Sequence, residues 1–326
     1  MSHRDSDGVP MLSDTHVSLF DIQRRVVANK TLEGWRTAPH ASIGVDFDVT
    51  PLLSFVDELR QRPVALPRVT VNSVLVKIIA EGVKASPEMN AHIDYRPISG
   101  VGKLVLHRAI NIAVPLRMPD GRTVTPTLQD SGRLSLLEVC VAMEDLKRRT
   151  RNTNLDILLR EAALRDTWLR LRGGDWRVLL RLYPNLLGRD RLPRVPRHER
   201  RRYRSIPESD RITPENLVSA TLLVSNAGTL LQRRHVTIQM LEIIQPQTTA
   251  VALGPIVRRP LAVQDREGRE RVEVRSVLPM TICIDHRAMD LEHVRGFIDT
   301  VEGLCANPWQ LLEAHSGNGR AAAVPV

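Results

Sequence analysis

The stretch TICIDHRAMDLEHVRGFIDTV, residues 281 to 301, changes character at its midpoint. Up to Asp285 it alternates, with Ile282 and Ile284 at the two-residue period of a strand that buries one face. Beyond Asp290 the apolar residues Leu291, Val294, Ile298, Val301 and Leu304 recur at three- and four-residue steps, which predicts an amphipathic helix. His286 therefore falls at a strand-to-helix junction, on the rim of a core, where an imidazole is partly desolvated yet reachable. That position suits a general base. It suits equally a histidine that only satisfies the start of a helix, and spacing alone does not separate the two.

His286, Asp290 and His293 also stand at i, i+4 and i+7, a spacing that brings metal to mind. Leu291 and Val294 need the inward face of that helix, however, and a catalytic zinc wants a third strong ligand beside an open position. No metal is expected. Cys140, Cys283 and Cys305 are far apart and form no C-x-x-C pair, which fits reduced thiols in a cytosolic protein.

Of the 326 residues, 42% are hydrophobic and 25% charged, the balance of a soluble globular chain. Aromatics make up only 3%, so Leu, Val, Ile and Ala must build the core. The N-terminus shows no signal-peptide pattern. The longest weakly polar run, residues 216 to 232, is interrupted by Asn and Ser and falls short of the roughly 20 apolar residues of a membrane span. A cytoplasmic protein, at most membrane-associated, is the expectation. The motifs of phosphate-cradling loops, G-x-G-x-x-G opening a helix and G-x-x-x-x-G-K-S/T, do not occur.

The net charge of +9 is concentrated. Lys147 to Arg204 holds eighteen Lys or Arg against six Asp or Glu, so the remainder of the chain is slightly acidic. Elsewhere helices and strands alternate without a strict βαβ rhythm. Thr50 and Pro51 predict a helix start, and VNSVLVKIIAEGVKA predicts a helix with Val71, Val74, Ile78 and Gly82 along one stripe. Pro-Asp-Gly at 119–121 predicts a hairpin. Leu136, Val139, Cys140 and Met143 predict the inner face of another helix, and a charged-tipped hairpin is expected over 257 to 285. Residues 1–16 and 316–326 are expected to be disordered or flexible.

LPMTICIDHRAMD (278–290) resembles the active-site segment of the dihydrolipoamide acyltransferases, the acyltransferase subunits of 2-oxoacid dehydrogenase complexes and relatives of chloramphenicol acetyltransferase. Their pattern is Asp-His-Arg, two variable residues, then Asp-Gly. DIQRRVVANK (21–30) and APHASIGVDFDVTPL (38–52) resemble the family's opening helix and Pro-His strand. VTVNSVLVKIIAEGVKASPEMNAHID (69–94), the segment 110–147, LLVSNAG (222–228) and IIQPQTTAVALGPI (243–256) follow in the family's order. The likeness covers about 17–150 and 213–315.

The resemblance implies an α/β (α+β) chloramphenicol acetyltransferase-like fold: a mixed sheet flanked by helices, with a basic helical insertion at 151–212 in a catalytic domain of 17–315. It also implies a mechanism. His286 matches the base that deprotonates an acceptor thiol, and Ser225 matches the donor to the tetrahedral oxyanion; neither assignment follows from spacing. Asp290 matches a structural aspartate that pairs with an arginine near the chain start, here Arg24 or Arg25. Asn226 is the candidate substrate contact. A coenzyme A thioester is the implied substrate, and a homotrimer with the site between subunits, assembled further or not, is the implied state.

Three departures qualify the resemblance. Leu291 stands where the family has glycine. No lipoyl domain precedes residue 17, so no covalent lipoyl group is expected on this chain. A stand-alone acyltransferase meeting its acyl carrier in trans (CoA, a lipoyl domain or an acyl carrier protein) follows. The basic insertion is the third. It reads as a solvated decoration, as a contact for an acidic carrier, or as a helical pair on an anionic membrane surface. Trp168, Trp176 and Tyr183 sit among leucines, which points to helix packing, and nucleic acid is not expected. The acceptor, whether thiol, amine or hydroxyl, stays open. A catalytically silent trimeric scaffold or binding module is the alternative to an enzyme.

Overall fold

The computed structural model describes residues 18–62, 67–174, 192–228, 230–231, 235–265 and 267–313. The predicted flexible ends, 1–16 and 316–326, and residues 175–191 of the insertion, with Trp176 and Tyr183, lie outside them. The order is α1 (Ile22–Thr37), β1 (His40–Asp48), α2 (Thr50–Gln61), α3 (Val71–Ala85), β2 (Ala91–Arg96), β3 (Val101–Leu106), β4 (Ile112–Ala113), β5 (Leu116–Arg117), β6 (Thr123–Val124) and β7 (Thr127–Leu128). Next come α4 (Leu136–Arg151), α5 (Leu155–Arg172), α6 (Arg197–Arg204), α7 (Glu215–Val218) and β8 (Leu222–Asn226). β9 (Thr249–Leu253), β10 (Val257–Gln264), β11 (Glu270–Asp285), α8 (Arg295–Ala306) and α9 (Gln310–Glu313) complete the chain.

The main sheet runs β1–β11–β9–β8–β4–β7, with β10 pairing the outer part of β11. β9 and β8, and β8 and β4, are parallel; the other neighbours are antiparallel. β11 is its spine. Residues 277 to 285 are buried on both faces, between β1 and β9. Ile282 and Ile284 enter the main core under the helices, whereas Cys283 packs with Ile243 and Ala250 on the opposite face. Thr281 Oγ1 donates to Ile238 O there, so an irregular segment closes that face.

α2, α3 and α8 cover the helical face. α3 is buried nearly all round rather than along one stripe, because α4 and α8 pack on it from two sides. Gly82 is where α8 comes closest: a Cβ there would stand 2.7 Å from Phe297 Cδ2. α4 starts with the capping box of Ser135 and Glu138, and Leu136, Val139, Cys140 and Met143 all point inward. The Pro-Asp-Gly turn joins β5 and β6, with Gly121 at φ +85°. Thr50, expected as a cap, instead begins α2, and its hydroxyl accepts from Ser276 N at 2.8 Å, tying α2 to β11.

The insertion is partly built into the core. Leu155 and Leu158 of α5 are buried, Tyr203 of α6 is buried, and Ile212 N donates to Thr153 Oγ1. No helix among the described residues is long and apolar enough to cross a membrane.

Candidate active site

β11 ends in a last ladder of bonds. Asp285 N donates to Thr248 O at 2.9 Å, and His286 N donates to Pro39 O at 3.0 Å. The chain then turns, with Ala288 N donating to Asp285 O and Met289 buried as its anchor. Asp285 is fully buried. A buried carboxylate needs compensation, and Arg287 supplies it: Nε donates to Oδ1 at 3.0 Å and Nη2 to Oδ2 at 2.6 Å. The backbone N of Arg287 and Nε2 of Gln245 complete the set at 3.0 and 3.4 Å. The Arg287 guanidinium also lies over the Tyr95 ring of β2, 5.6 Å from its centroid.

His286 is left outside this clamp, its side chain 54% exposed. Its Nδ1 is 3.3 Å from Met289 O and 3.3 Å from Asp290 Oδ1. Both neighbours only accept, so the proton of the neutral ring belongs on Nδ1 and the lone pair on Nε2. A second histidine is fixed close by: His40 Nδ1 donates to Ala38 O at 2.8 Å while its Nε2 accepts from Ile243 N at 2.9 Å. The Asp290 backbone N donates to His293 Nδ1 at 3.2 Å, so His293 serves as a cap at the start of the following 3₁₀ turn, 291–294.

The resemblance leads one to expect Arg24 or Arg25 as the partner of Asp290; in this chain the carboxylate faces His286 instead. Both arginines lie in the first turn of α1, about 20 Å of helix from its Thr37 end. That first turn sits over the β5–β6 hairpin, where Gln23 Nε2 donates to Thr123 O, and Arg25 Nε donates to Phe20 O. Leu291 also differs from expectation. It does not join the buried face of the helix but is 58% exposed. Its backbone is unstrained: among the described residues Asp130 alone of the non-glycines has positive φ. Val294, Phe297, Val301 and Cys305 make the buried line.

Ser225 lies at the far end of β8, half-buried. It pairs with Ala252, which pairs with Thr281, five residues before His286. At about 3.4 Å per residue and about 4.8 Å per strand spacing, Ser225 and His286 of one chain are about 20 Å apart. Their side chains cannot meet within it. Asn226 is committed inside the fold: Nδ2 donates to Asn72 Oδ1 at 2.9 Å, and Oδ1 accepts from Gly228 N at 2.8 Å. It braces the turn after Ser225 against α3.

The clamp of Asp285 and Arg287, with Gln245 and Tyr95 around it, did not emerge from the sequence reading. The signal was present in the Asp-His-Arg triplet itself. Residues i and i+2 at a strand end share a face, so an acid and a base flanking a histidine can close on each other while the histidine points away.

The sequence model of the family "2-oxoacid dehydrogenases acyltransferase (catalytic domain)" matches residues 13–158 and 198–313. The pyruvate dehydrogenase acetyltransferase component of Zymomonas mobilis, a dihydrolipoyllysine-residue acetyltransferase, is 23% identical over 291 residues, covering 89% of this chain and 49% of that protein. The dihydrolipoyllysine-residue succinyltransferase component of the Haemophilus influenzae 2-oxoglutarate dehydrogenase complex is 20% identical, covering 92% and 56%. Among solved structures, the cubic core of a pyruvate dehydrogenase multienzyme complex aligns with TM-score 0.61 at 16% identity over 93% of this chain and 98% of that one. A probable dihydrolipoamide acetyltransferase from Listeria monocytogenes aligns with TM-score 0.58 at 16% identity over 95% and 99%.

The fold is thus that of the acyltransferase cores. The chain belongs to the catalytic-domain family of the 2-oxoacid dehydrogenase acyltransferases. It spans about half the length of the curated relatives it matches. The family match is interrupted between residues 158 and 198, inside the basic insertion.

Proposed function

We propose that this protein is an acyltransferase that moves an acyl group between a coenzyme A thioester and a dihydrolipoyl thiol. Its site forms between two copies of the chain, His286 coming from one and Ser225 from the next. The observation that carries this reading is the state of His286: its Nδ1 is turned to Met289 O and Asp290, which leaves Nε2 as a base facing outward. The separation of Ser225 and His286 supports the subunit-bridging arrangement, since only a second copy can complete the pair.

Nε2 takes the proton of the acceptor S–H, and the thiolate attacks the thioester carbonyl. The new oxyanion takes a hydrogen bond from the Ser225 hydroxyl, an interaction worth about 3 kcal/mol in comparable sites. Collapse breaks the bond to the CoA sulfur, and the imidazolium returns its proton to that leaving thiolate. The carboxylate of Asp290 keeps the imidazolium charge company in between. A closed trimer is the simplest symmetric assembly in which every His286 meets a neighbour's Ser225 head to tail. A silent scaffold rested on Leu291, and the unstrained, outward-facing geometry of that leucine leaves His286 undisturbed.

The test is release of free CoA from acetyl-CoA and succinyl-CoA with and without dihydrolipoamide, in wild type and His286→Ala. Turnover that needs dihydrolipoamide and is lost in the variant is expected. Equal turnover in both proteins would sink the reading.

A further inference from the structure

The arginines around α6 form a surface that the acyl-transfer chemistry does not use. Arg194, Arg197, Arg200, Arg201, Arg202 and Arg204 are all exposed, and none makes an ion pair among the described residues. The neighbouring cations behave differently. Arg148 is paired with Asp145 and Asp210, Arg165 with Glu215, and Arg211 with Glu208 and Glu161. The acids at the base of α6 are therefore taken, and Glu199 is the one acid on the helix. Like charges at i and i+4, as in Arg197–Arg201 and Arg200–Arg204, repel one another. A partner of opposite charge relieves that repulsion.

The surface is held firmly. Tyr203 is buried, its hydroxyl donates to Ile212 O at 3.3 Å, and Arg211 stacks on its ring at 4.6 Å. Tyr203 is also the sole apolar side chain of α6 and faces inward, so the helix offers nothing to insert into a bilayer. From α6 the chain passes through α7 into the Leu222 end of β8. His92 Nε2 and Gln247 Nε2 both meet Ala220 O there, and Asp285 N donates to the adjoining Thr248 O. α6 itself sits beside the C-terminal end of α4, where Ile212, hydrogen-bonded to Tyr203, also bonds Thr153 and where Arg149 donates to Arg211 O. α4 runs from Leu134 beside Lys77 past Cys140 beside Ser73, next to the Asn72 that bonds Asn226. The arginine surface therefore lies toward the end of the sheet that holds Ser225.

We propose that the arginine face of α6 docks an acidic, lipoyl-bearing protein domain and so brings its thiol toward the end of the sheet that holds Ser225, where the proposed neighbouring copy supplies His286. This rests on the acyl-transfer reading in its choice of partner: the relatives are named for a dihydrolipoyl group on a lysine residue, a thiol borne by protein. Complementary charge speeds such an encounter and makes it sensitive to salt.

The experiment uses the full chain, a fluorescently labelled acidic lipoyl domain in its reduced form, and R197E/R200E/R201E. Acidic residues suit the early turns of a helix, so this variant should fold; R197Q/R200Q/R201Q removes the charge without reversing it. Fluorescence anisotropy should show wild type binding the domain more weakly as salt rises, and the Glu variant binding it about tenfold more weakly or worse. The Gln variant should fall between. Turnover of free dihydrolipoamide should stay within about twofold in both variants, as these exposed side chains lie away from the chemistry. Equal binding by all three proteins would overturn the proposal. So would binding of phosphatidylglycerol vesicles or RNA through these arginines with the lipoyl domain left unbound. Domain binding without any turnover of free dihydrolipoamide would uphold the docking surface and remove the acyl-transfer reading instead.

Discussion

Arg287 Nη2 lies 2.6 Å from Asp285 Oδ2, so the two residues that flank His286 in the chain close on each other behind it. Asp285 is wholly out of solvent. Removing Arg287 strands a charge in the core, and Arg287→Ala should cost about 3–5 kcal/mol. Urea unfolding measures this. Asp285→Asn combined with Arg287→Met should lose less than the two single changes summed, because neither charge is then left alone.

Mixing subunits tests whether the site is shared. His286→Ala and Ser225→Ala proteins should each be nearly inactive. Co-unfolded and refolded together in equal amounts, they should recover about one quarter of wild-type activity, the fraction of head-to-tail interfaces that receive both intact residues by chance. No recovery in a mixed assembly of confirmed composition would show that Ser225 and His286 do not complete one site across an interface.

Leu291→Gly restores the residue the family carries. Leu291 faces solvent in ordinary backbone, so the change should cost about 0.5–1 kcal/mol, the usual penalty for glycine in a helical turn. kcat should change little. A tenfold gain would show that the leucine does remodel the site.

Gly82→Ala should destabilise by about 1–3 kcal/mol, since its Cβ would meet Phe297 at 2.7 Å. Adding Phe297→Leu should return part of the loss, read as a rise in Tm relative to Gly82→Ala alone.

All three cysteines are buried. Burial pushes each thiol upward, that of Cys305 to about 12. A chromogenic thiol reagent at pH 8 should therefore label none of the three in the native protein and all of them in denaturant. The same shift has a sign for stability. Unfolded thiols ionise at about 8.5 while the folded ones keep their protons, so stability falls as pH rises above that point.

Much of this was legible in the residues. The alternation of Ile282 and Ile284, the inward stripe of Leu136, Val139, Cys140 and Met143 and the Asp120–Gly121 turn are local signals, and local geometry obeys them. Leu291 misled because 291–294 is a 3₁₀ turn. Three residues per turn shift the phase, so the 3.6-residue stripe of α8 cannot be extended back through it. Phe297 and Cys305, not Ile298 and Leu304, then carry the fully buried face. The partner of Asp290 was hidden for a different reason. Which end of α1 approaches the histidine is fixed by tertiary contacts such as Gly34 against Ile243 O, not by any nearby residue. The distance between Ser225 and His286 needed the parallel register of β8 on β9, a non-local fact.

That distance bears on the life of the chain before it assembles. Under the proposed function, a newly made copy, folded but still alone, would carry its base and its oxyanion donor on opposite ends of one sheet and lack a complete site. It should leave the ribosome inert toward the thioesters around it. Competence would arrive only when it meets its own kind, which makes activity a report on successful assembly and lets simple dilution switch it off.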